Sequence, residues 1–391
     1  MPAVWPLRNG LQLRSRRVRL EVGCPLWRLA ALRIAWRSIL RASLARVAPT
    51  PWRLLGWGIA MVGLLTMFAA FAIWLWLSRA SGPTPGDTHN YILAGLRLNV
   101  GHPLYAYGPG DEHELPVSAY PLFSPPLMGV VFRLIVLLPA NGQYIWWVSM
   151  VVLELAAIIA LVRRAPLVTG LALVPLSVSI GLAMQVGNVD CLVLSGLLLT
   201  WCRLVRGHDE RAALAIGVLA SLKLTPVVFV WWLFVTGRRR AAAIAVGCGA
   251  VLAVVAMLGS EPSIFLKFYQ VTMANEAAPA ADYGLPGLAS AIGLPAALAA
   301  WLPRAALLGG AVAMWMTRRR PGVSWVIGAL LMWLASPVAA LHTPALALVA
   351  IAPLAWPMTR GWAGGRPGLN PNELDRHGRP AAGLQSLPAD R

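Results

Sequence analysis

Charged residues are scarce in this sequence. Only 12% of its 391 residues are charged, whereas soluble domains carry about 25%. Hydrophobic residues make up 58% of the chain, and its mean hydropathy is +0.66. This composition excludes an ordinary soluble domain and indicates a chain that is solvated mostly by lipid.

Cysteine is rare, and the common cofactor motifs are missing. The four cysteines lie in the basic N-terminal segment or in apolar runs, which gives no sign of a disulfide framework. No glycine-rich phosphate loop follows a strand, and no zinc-type spacing of Cys and His occurs. We therefore expect no nucleotide-driven reaction, no metal and no cofactor.

Basic residues outnumber acidic ones, with 33 Lys and Arg against 15 Asp and Glu. The formal net charge is +18, and residues 1–53 alone hold eleven Arg and one Glu. Much of the remaining positive charge lies in short Arg clusters between apolar runs, which is typical of cytoplasmic loops and not of nucleic-acid binding. We interpret residues 1–53 as a basic cytoplasmic segment. It is either an amphipathic helix on anionic lipid, a disordered tail, or sequence translated upstream of the true start.

Apolar runs predict the fold class. They cover residues 54–77, 143–162, 167–185, 191–204, 241–258, 305–316, 323–335 and 345–356. The first run alone would extend roughly 36 Å as a helix, enough to cross a bilayer core of about 30 Å. We predict an all-α, polytopic integral membrane protein with about eight to ten transmembrane helices. Its transmembrane domain covers residues 54–357, and residues 358–391 form a disordered cytoplasmic tail.

Arginine clusters predict the orientation of these spans. The clusters at 163–164, 238–240 and 318–320 fall on one side when the spans alternate, and that side is expected to be cytoplasmic. The loops at 78–142 and 259–286 then face outward. We place the protein in the inner (plasma) membrane, in contact with membrane lipid.

One apolar unit is interrupted. Residues 212–222 and 225–235 are each about 16 Å long as helices, too short to span, and they flank Lys223. Because both outer ends are rich in Arg, we predict a broken hairpin with both ends in the cytoplasm. Such interruptions are tolerated where they are buried in protein or line a cavity.

The longest polar interruption covers residues 86–126. It holds a cluster of potentially catalytic side chains: Asp87, His89, His102, Asp111, Glu112, His113 and Glu114. Asp87 precedes a predicted helix at 88–98 and acts either as its N-cap or as a general base. Residues 111–114 offer ligands for a divalent ion. Because four adjacent side chains cannot all point one way, we expect a solvated loop tip there.

Three further residues carry open alternatives. Lys223 is a functional intramembrane cation or a side chain that extends to the interface. Glu154, inside the run at 143–162, belongs to a proton path or packs against a polar partner. His342, in an external turn, binds phosphate, positions an acceptor or is structural.

The order of these motifs resembles glycosyltransferase family 87 over roughly residues 54–357. The resemblance rests on Asp87, Tyr91, Tyr120 and Pro121, on the turn Gly187-Asn188-Val189-Asp190, on Lys223 to Pro226, and on Ser336, Pro337 and His342. The family's Gly-Gln-x-Asn turn thus differs here. Members are bacterial membrane transferases of the C superfamily that use polyprenyl-phosphate mannose or related donors.

The resemblance implies an inverting hexosyltransferase, with mannose as the expected sugar. It assigns Asp87 as the catalytic base, and it assigns binding of the donor phosphate or substrate to His342, Lys223, Asn188, Tyr91 and Tyr120. The expected partners are a polyprenyl-phosphate sugar and an extracytoplasmic glycan or glycolipid. A non-catalytic transporter or flippase of lipid-linked sugar and an inactive assembly scaffold are the alternatives.

Overall fold

The computed structural model describes residues 51–78, 86–105, 124–138, 142–276, 283–336 and 339–358. Within these ranges the chain is helical and contains no strand. The α-helices are α1 (Pro51–Ser78), α2 (Gly86–Asn99), α3 (Pro126–Ile135), α4 (Gly142–Arg164), α5 (Pro166–Val186), α6 (Asp190–Val205), α7 (Asp209–Leu222), α8 (Val228–Val235), α9 (Arg239–Leu258), α10 (Ile264–Glu276), α11 (Leu285–Ala291), α12 (Ala296–Ala299), α13 (Leu302–Met316), α14 (Pro321–Leu334) and α15 (Ala352–Ala355). Two 3-10 segments, Thr225–Val227 and Thr343–Ile351, precede α8 and α15.

The predicted all-α, polytopic membrane architecture is confirmed. In the described part of the chain, five helical stretches are long and apolar enough to cross a bilayer: Pro51–Leu77, Gly142–Arg164, Pro166–Val186, Arg239–Leu258 and Ala296–Met316. Four shorter apolar helices accompany them: Pro126–Ile135, Thr225–Val235, Pro321–Leu334 and Thr343–Ala355. Leu65 and Trp76 of α1 are exposed, as expected of a helix that faces lipid.

The broken hairpin is also present. α7 ends at Leu222, Lys223 adopts an extended conformation with φ −144° and ψ 128°, and Pro226 lies in the following 3-10 turn. Proline has no N–H to continue the helical ladder, so the break is built into the sequence. At the outer ends, Asp209 of α7 lies 3.4 Å from Arg238, just before α9. The start of the first half and the end of the second half therefore lie side by side.

Helices α5, α6 and α7 each connect an arginine-rich end of the bundle to an end that is poor in arginine. Arg164 precedes α5, Arg203 lies in the last turn of α6, and Arg238 meets the start of α7. The opposite ends carry the turn at 187–189 and Lys223. The 14 residues of α7 separate the two ends by roughly 21 Å.

Three buried tryptophans hold the helices together. Trp201 of α6, Trp232 of α8 and Trp325 of α14 are fully buried, and the ring centroids of Trp201 and Trp325 lie 4.8 Å apart. Each indole N–H donates a hydrogen bond to a neighbouring oxygen at 2.9 to 3.1 Å. Their polar atoms are thus satisfied, as buried tryptophan requires.

The predicted basic segment at 1–53 lies outside the described residues except for its last three positions, and the predicted tail at 358–391 does so except for Met358. The cytoplasmic and disordered assignments of these segments stay predictions.

Candidate active site

The turn between α5 and α6 is the structural centre of the site. α5 ends at Val186, and the following Gly187 has φ 65° and ψ 38°, a left-handed conformation that favours glycine. The next residue, Asn188, accepts a hydrogen bond from the backbone N–H of Asp190 through Oδ1, at 2.7 Å. This local bond from a side chain to the backbone is typical of a short polar residue at a helix start. It orients the amide of Asn188 through a contact two residues along the chain.

The start of α2 docks directly onto this turn. Thr88 donates a hydrogen bond from Oγ1 to the Val186 carbonyl at 3.1 Å, and a Cβ added at Gly187 would collide with the Thr88 hydroxyl. Trp146 donates to the Gly187 carbonyl at 3.0 Å, and Trp147 donates to the Met184 carbonyl at 2.9 Å. The close approach permitted by Gly187 therefore places the first turn of α2 against Asn188.

Asn188 bridges two functional candidates. Its Nδ2 donates to Oδ2 of Asp87 at 2.6 Å and lies 2.8 Å from Nε2 of His342. The assignment of the two amide atoms follows from the Asp190 bond, because a backbone N–H can only donate and must face the oxygen of Asn188. The nitrogen of Asn188 then faces Asp87 and His342.

This arrangement also fixes the state of His342. A nitrogen that receives a hydrogen bond from an amide must be unprotonated, so the neutral imidazole carries its proton on Nδ1. Burial lowers the pKa of His342 below its ordinary value; the Asp87 and Asp190 carboxylates oppose this shift, and Lys223 adds to it. Geometry and electrostatics both indicate a neutral His342.

Lys223 meets a buried carboxylate. Its Nζ forms an ion pair with Oδ1 of Asp190, whose side chain is 1% exposed. The other oxygen of Asp190 lies 3.6 Å from Nε2 of His342, and Oδ2 of Asp87 lies 3.8 Å from the same nitrogen. Asp87, Asn188, Asp190, Lys223 and His342 thus form one cluster, at the end of the bundle that is poor in arginine.

Tyr91 and Tyr120 were also predicted to bind donor phosphate or substrate. Tyr91 follows Asp87 by one turn of α2, but its ring is buried, with its centroid 5.2 Å from that of Phe132. Burial raises the pKa of the Tyr91 phenol well above its ordinary value, and Asp87 adds to the rise. Tyr120 lies outside the described residues, as do residues 111–114.

The remaining candidates are distributed elsewhere. His89 is exposed in α2, and His102 follows that helix. Glu154 is buried in α4, close to Cys191. Its two alternatives, a proton path and a packing role, both stay open.

Sequence reasoning did not single out Asp190 as a site residue. An indirect signal was present: a lysine inside an apolar hairpin requires an anion or water, and Asp190 is the carboxylate within the turn motif at 187–190. The residue lies 33 positions from Lys223, so only the packing of α6 on α7 shows that the two meet.

Comparison with known proteins identifies the family. The model of glycosyltransferase family 87 matches residues 123–337, more than half of the chain. The chain belongs to glycosyltransferase family 87. It is therefore a multi-pass membrane glycosyltransferase, as the resemblance of the motifs predicted. Neither the curated proteins nor the solved structures contain a match to it.

The part that matches family 87 contains three members of the cluster, namely Asn188, Asp190 and Lys223. Asp87 precedes this part and His342 follows it by five residues. The structure joins both to the matched region through the amide of Asn188. The roles predicted for Asp87, Asn188, Lys223 and His342 stay predictions.

Proposed function

We propose that this family 87 glycosyltransferase moves a hexose, with mannose expected, from a polyprenyl-phosphate donor to a hydroxyl of an extracytoplasmic glycan or glycolipid. Asp87 is the general base, and the anomeric configuration is inverted. The proposal rests on the family, on the geometry around Asp87 and on the side of the bundle that carries the cluster.

The main support for the proposal is that the Asp87 carboxylate is both accessible and held by a hydrogen bond. Its side chain is 28% exposed, while the groups behind it, Asn188 and His342, are buried. The Asn188 amide holds Oδ2 at 2.6 Å and so limits the rotation of the carboxylate. A fixed carboxylate that remains accessible is what proton removal from a bound hydroxyl requires.

The reaction then proceeds as a single displacement. The acceptor hydroxyl approaches the anomeric carbon in line with the donor phosphate, and its oxygen forms a bond to that carbon. The bond from carbon to the phosphate oxygen breaks, and the hydroxyl proton passes to Asp87. The lipid phosphate is a good leaving group, so no general acid is needed. We assign stabilisation of its developing charge to Lys223 and to the Nδ1–H of His342.

The membrane supplies the donor. A polyprenyl chain partitions into lipid at about 0.8 kcal/mol per buried CH₂, so the donor reaches the protein laterally. The site lies roughly 21 Å along α7 from the ion pair of Asp209 and Arg238. Because arginine clusters are typical of cytoplasmic loops, we assign the site to the outer face of the plasma membrane.

A transferase assay with purified protein tests this proposal. A panel of polyprenyl-phosphate sugars is offered with glycolipid acceptors, and product formation and anomeric configuration are measured. We expect transfer from one donor and an inverted product. A retained configuration would contradict the single displacement. If no donor supports transfer while the protein moves lipid-linked sugar across liposomes, the flippase alternative replaces the proposal.

A further inference from the structure

Asp190 is the most buried charged group of the cluster, and its two oxygens face different partners. Oδ1 pairs with the Lys223 ammonium, and Oδ2 lies 3.6 Å from Nε2 of His342. Its backbone N–H holds Oδ1 of Asn188 at 2.7 Å. One residue at the start of α6 therefore touches every other member of the cluster except Asp87.

We propose that Asp190 is a positioning residue of the transferase site, and that the Asp190–Lys223 pair determines whether His342 carries a proton. This inference rests on the proposed function for its catalytic consequence. Its electrostatic part is independent of which sugar is transferred.

The protonation state of His342 decides how Asp87 is held. While Nε2 is unprotonated, it accepts a hydrogen bond from Asn188, and the other hydrogen of the same amide holds Asp87. A proton on Nε2 removes that acceptor and creates a cation 3.8 Å from Oδ2 of Asp87. The imidazolium then competes with the acceptor hydroxyl for the carboxylate. Protonation of His342 is therefore expected to inactivate the site.

The charges around His342 oppose one another. Two carboxylates, Asp87 and Asp190, favour the imidazolium, whereas the Lys223 ammonium and burial favour the neutral ring. Asp190 and Lys223 lie in contact, so their effects on His342 offset each other. Removal of Asp190 alone is therefore expected to favour the neutral ring, and removal of Lys223 alone is expected to favour the imidazolium.

The test uses Asp190→Asn, Lys223→Met and the double variant, all in the full-length protein. The histidines are labelled with ¹⁵N, the His342 resonance is assigned by its loss in His342→Gln, and its pKa is measured by NMR titration. In parallel, kcat/KM is measured against pH. We expect Asp190→Asn to lower the pKa of His342 by about 1 unit or more and Lys223→Met to raise it by about 1 unit or more. The pH at which kcat/KM falls on the acid side is expected to shift in the same direction as the pKa of His342 in each variant.

The double variant is the matched control. Because it removes both charges, it leaves no unpaired charge in the interior, which favours its folding. The pKa of His342 in this variant is expected to return toward the wild-type value. Shifts in the same direction in both single variants, no shift in either, or a double variant that follows one single variant would overturn the inference. Because the NMR arm needs no turnover, opposite shifts without any transferase activity would support the inference and contradict the proposed function.

Discussion

Asp87 lies in the first turn of α2, where a carboxylate stabilises a helix by about 0.3–1 kcal/mol through the helix dipole. Asparagine keeps the size of the side chain and can accept the Asn188 hydrogen bond through its amide oxygen, but its amide cannot take the acceptor's proton. We therefore expect Asp87→Asn to lower kcat by about 10²- to 10⁴-fold and to change the free energy of unfolding by no more than about 1 kcal/mol. Initial rates and thermal denaturation of the purified variant check both values.

Asp111→Asn is the companion control for this prediction. The same chemical change is made in the polar stretch that we expect to form a solvated loop tip, so turnover should stay near that of the wild type. Full turnover of Asp87→Asn on a verified donor would remove Asp87 from the role of base.

Asn188 carries a second prediction at the residue scale. Its amide holds both Asp87 and His342, so Asn188→Ala frees the carboxylate to rotate. Misplacement of a reacting group by about 1 Å can reduce a rate by about 10²-fold, and we expect a kcat loss of that order. The KM for the donor should change little if Asn188 acts only by holding these two side chains. A rise in KM at unchanged kcat would instead indicate direct binding of substrate by Asn188.

The sequence predicted which residue types belong to the site better than it predicted their contacts. Asp87 and His342 lie 101 and 154 positions from Asn188, and no local periodicity encodes such pairs; their assignment came from a resemblance. The need of Lys223 for an anion or for water followed from its apolar surroundings, and the structure supplies an anion. The identity of that anion depended on how α6 packs on α7, which the sequence alone does not show.

At the scale of elements, the turn between α5 and α6 depends on Gly187. Alanine there adopts a left-handed conformation at about 1–2 kcal/mol, and its Cβ meets the Thr88 hydroxyl as well. Gly237 is the matched control, since it has φ 86° but nothing within 4 Å of an added Cβ. We expect both Gly→Ala variants to lose stability, with the larger loss at Gly187 and with loss of activity only there.

Thermal denaturation and turnover of the two variants measure this difference. Equal destabilisation, with activity retained in both, would show that the docking of α2 on the turn does not position Asp87.

Secondary structure followed from the sequence where hydropathy was decisive. The runs at 143–162 and 167–185 became α4 and α5 with ends within two residues, and the interruption at Lys223 became the break of the hairpin. The run at 345–356 was less predictable. It forms mostly the 3-10 segment Thr343–Ile351, and runs of 3-10 helix longer than three or four residues are uncommon. Leu346 and Val349 of this segment are fully buried, so tertiary packing stabilises it where local preference would not.

At the scale of the whole molecule, the arrangement of charge predicts which end of the bundle faces outward. Val100 follows α2 and is 56% exposed. Asn99 beside it binds the Arg133 carbonyl, and Arg133 in turn donates to the Gly259 carbonyl after α9, which places Val100 at the end of the bundle that carries the site. Arg319 is exposed in the arginine cluster at the opposite end. If arginine clusters face the cytoplasm, these two positions lie on opposite sides of the membrane.

We expect Val100→Cys to react with a membrane-impermeant thiol reagent in intact cells, and Arg319→Cys to react only after the cells are permeabilised. The four native cysteines are first replaced by alanine, and this background must retain transferase activity, since Cys191 is buried near Glu154. Arg319 is one of three consecutive arginines, so its loss leaves a positive cluster to hold the orientation. The reverse pattern, with Arg319→Cys labelled in intact cells and Val100→Cys protected, would place the cluster of Asp87, Asn188 and His342 on the cytoplasmic side. A lipid-linked donor presented on the outer leaflet would then be excluded, and a donor presented on the inner leaflet would take its place.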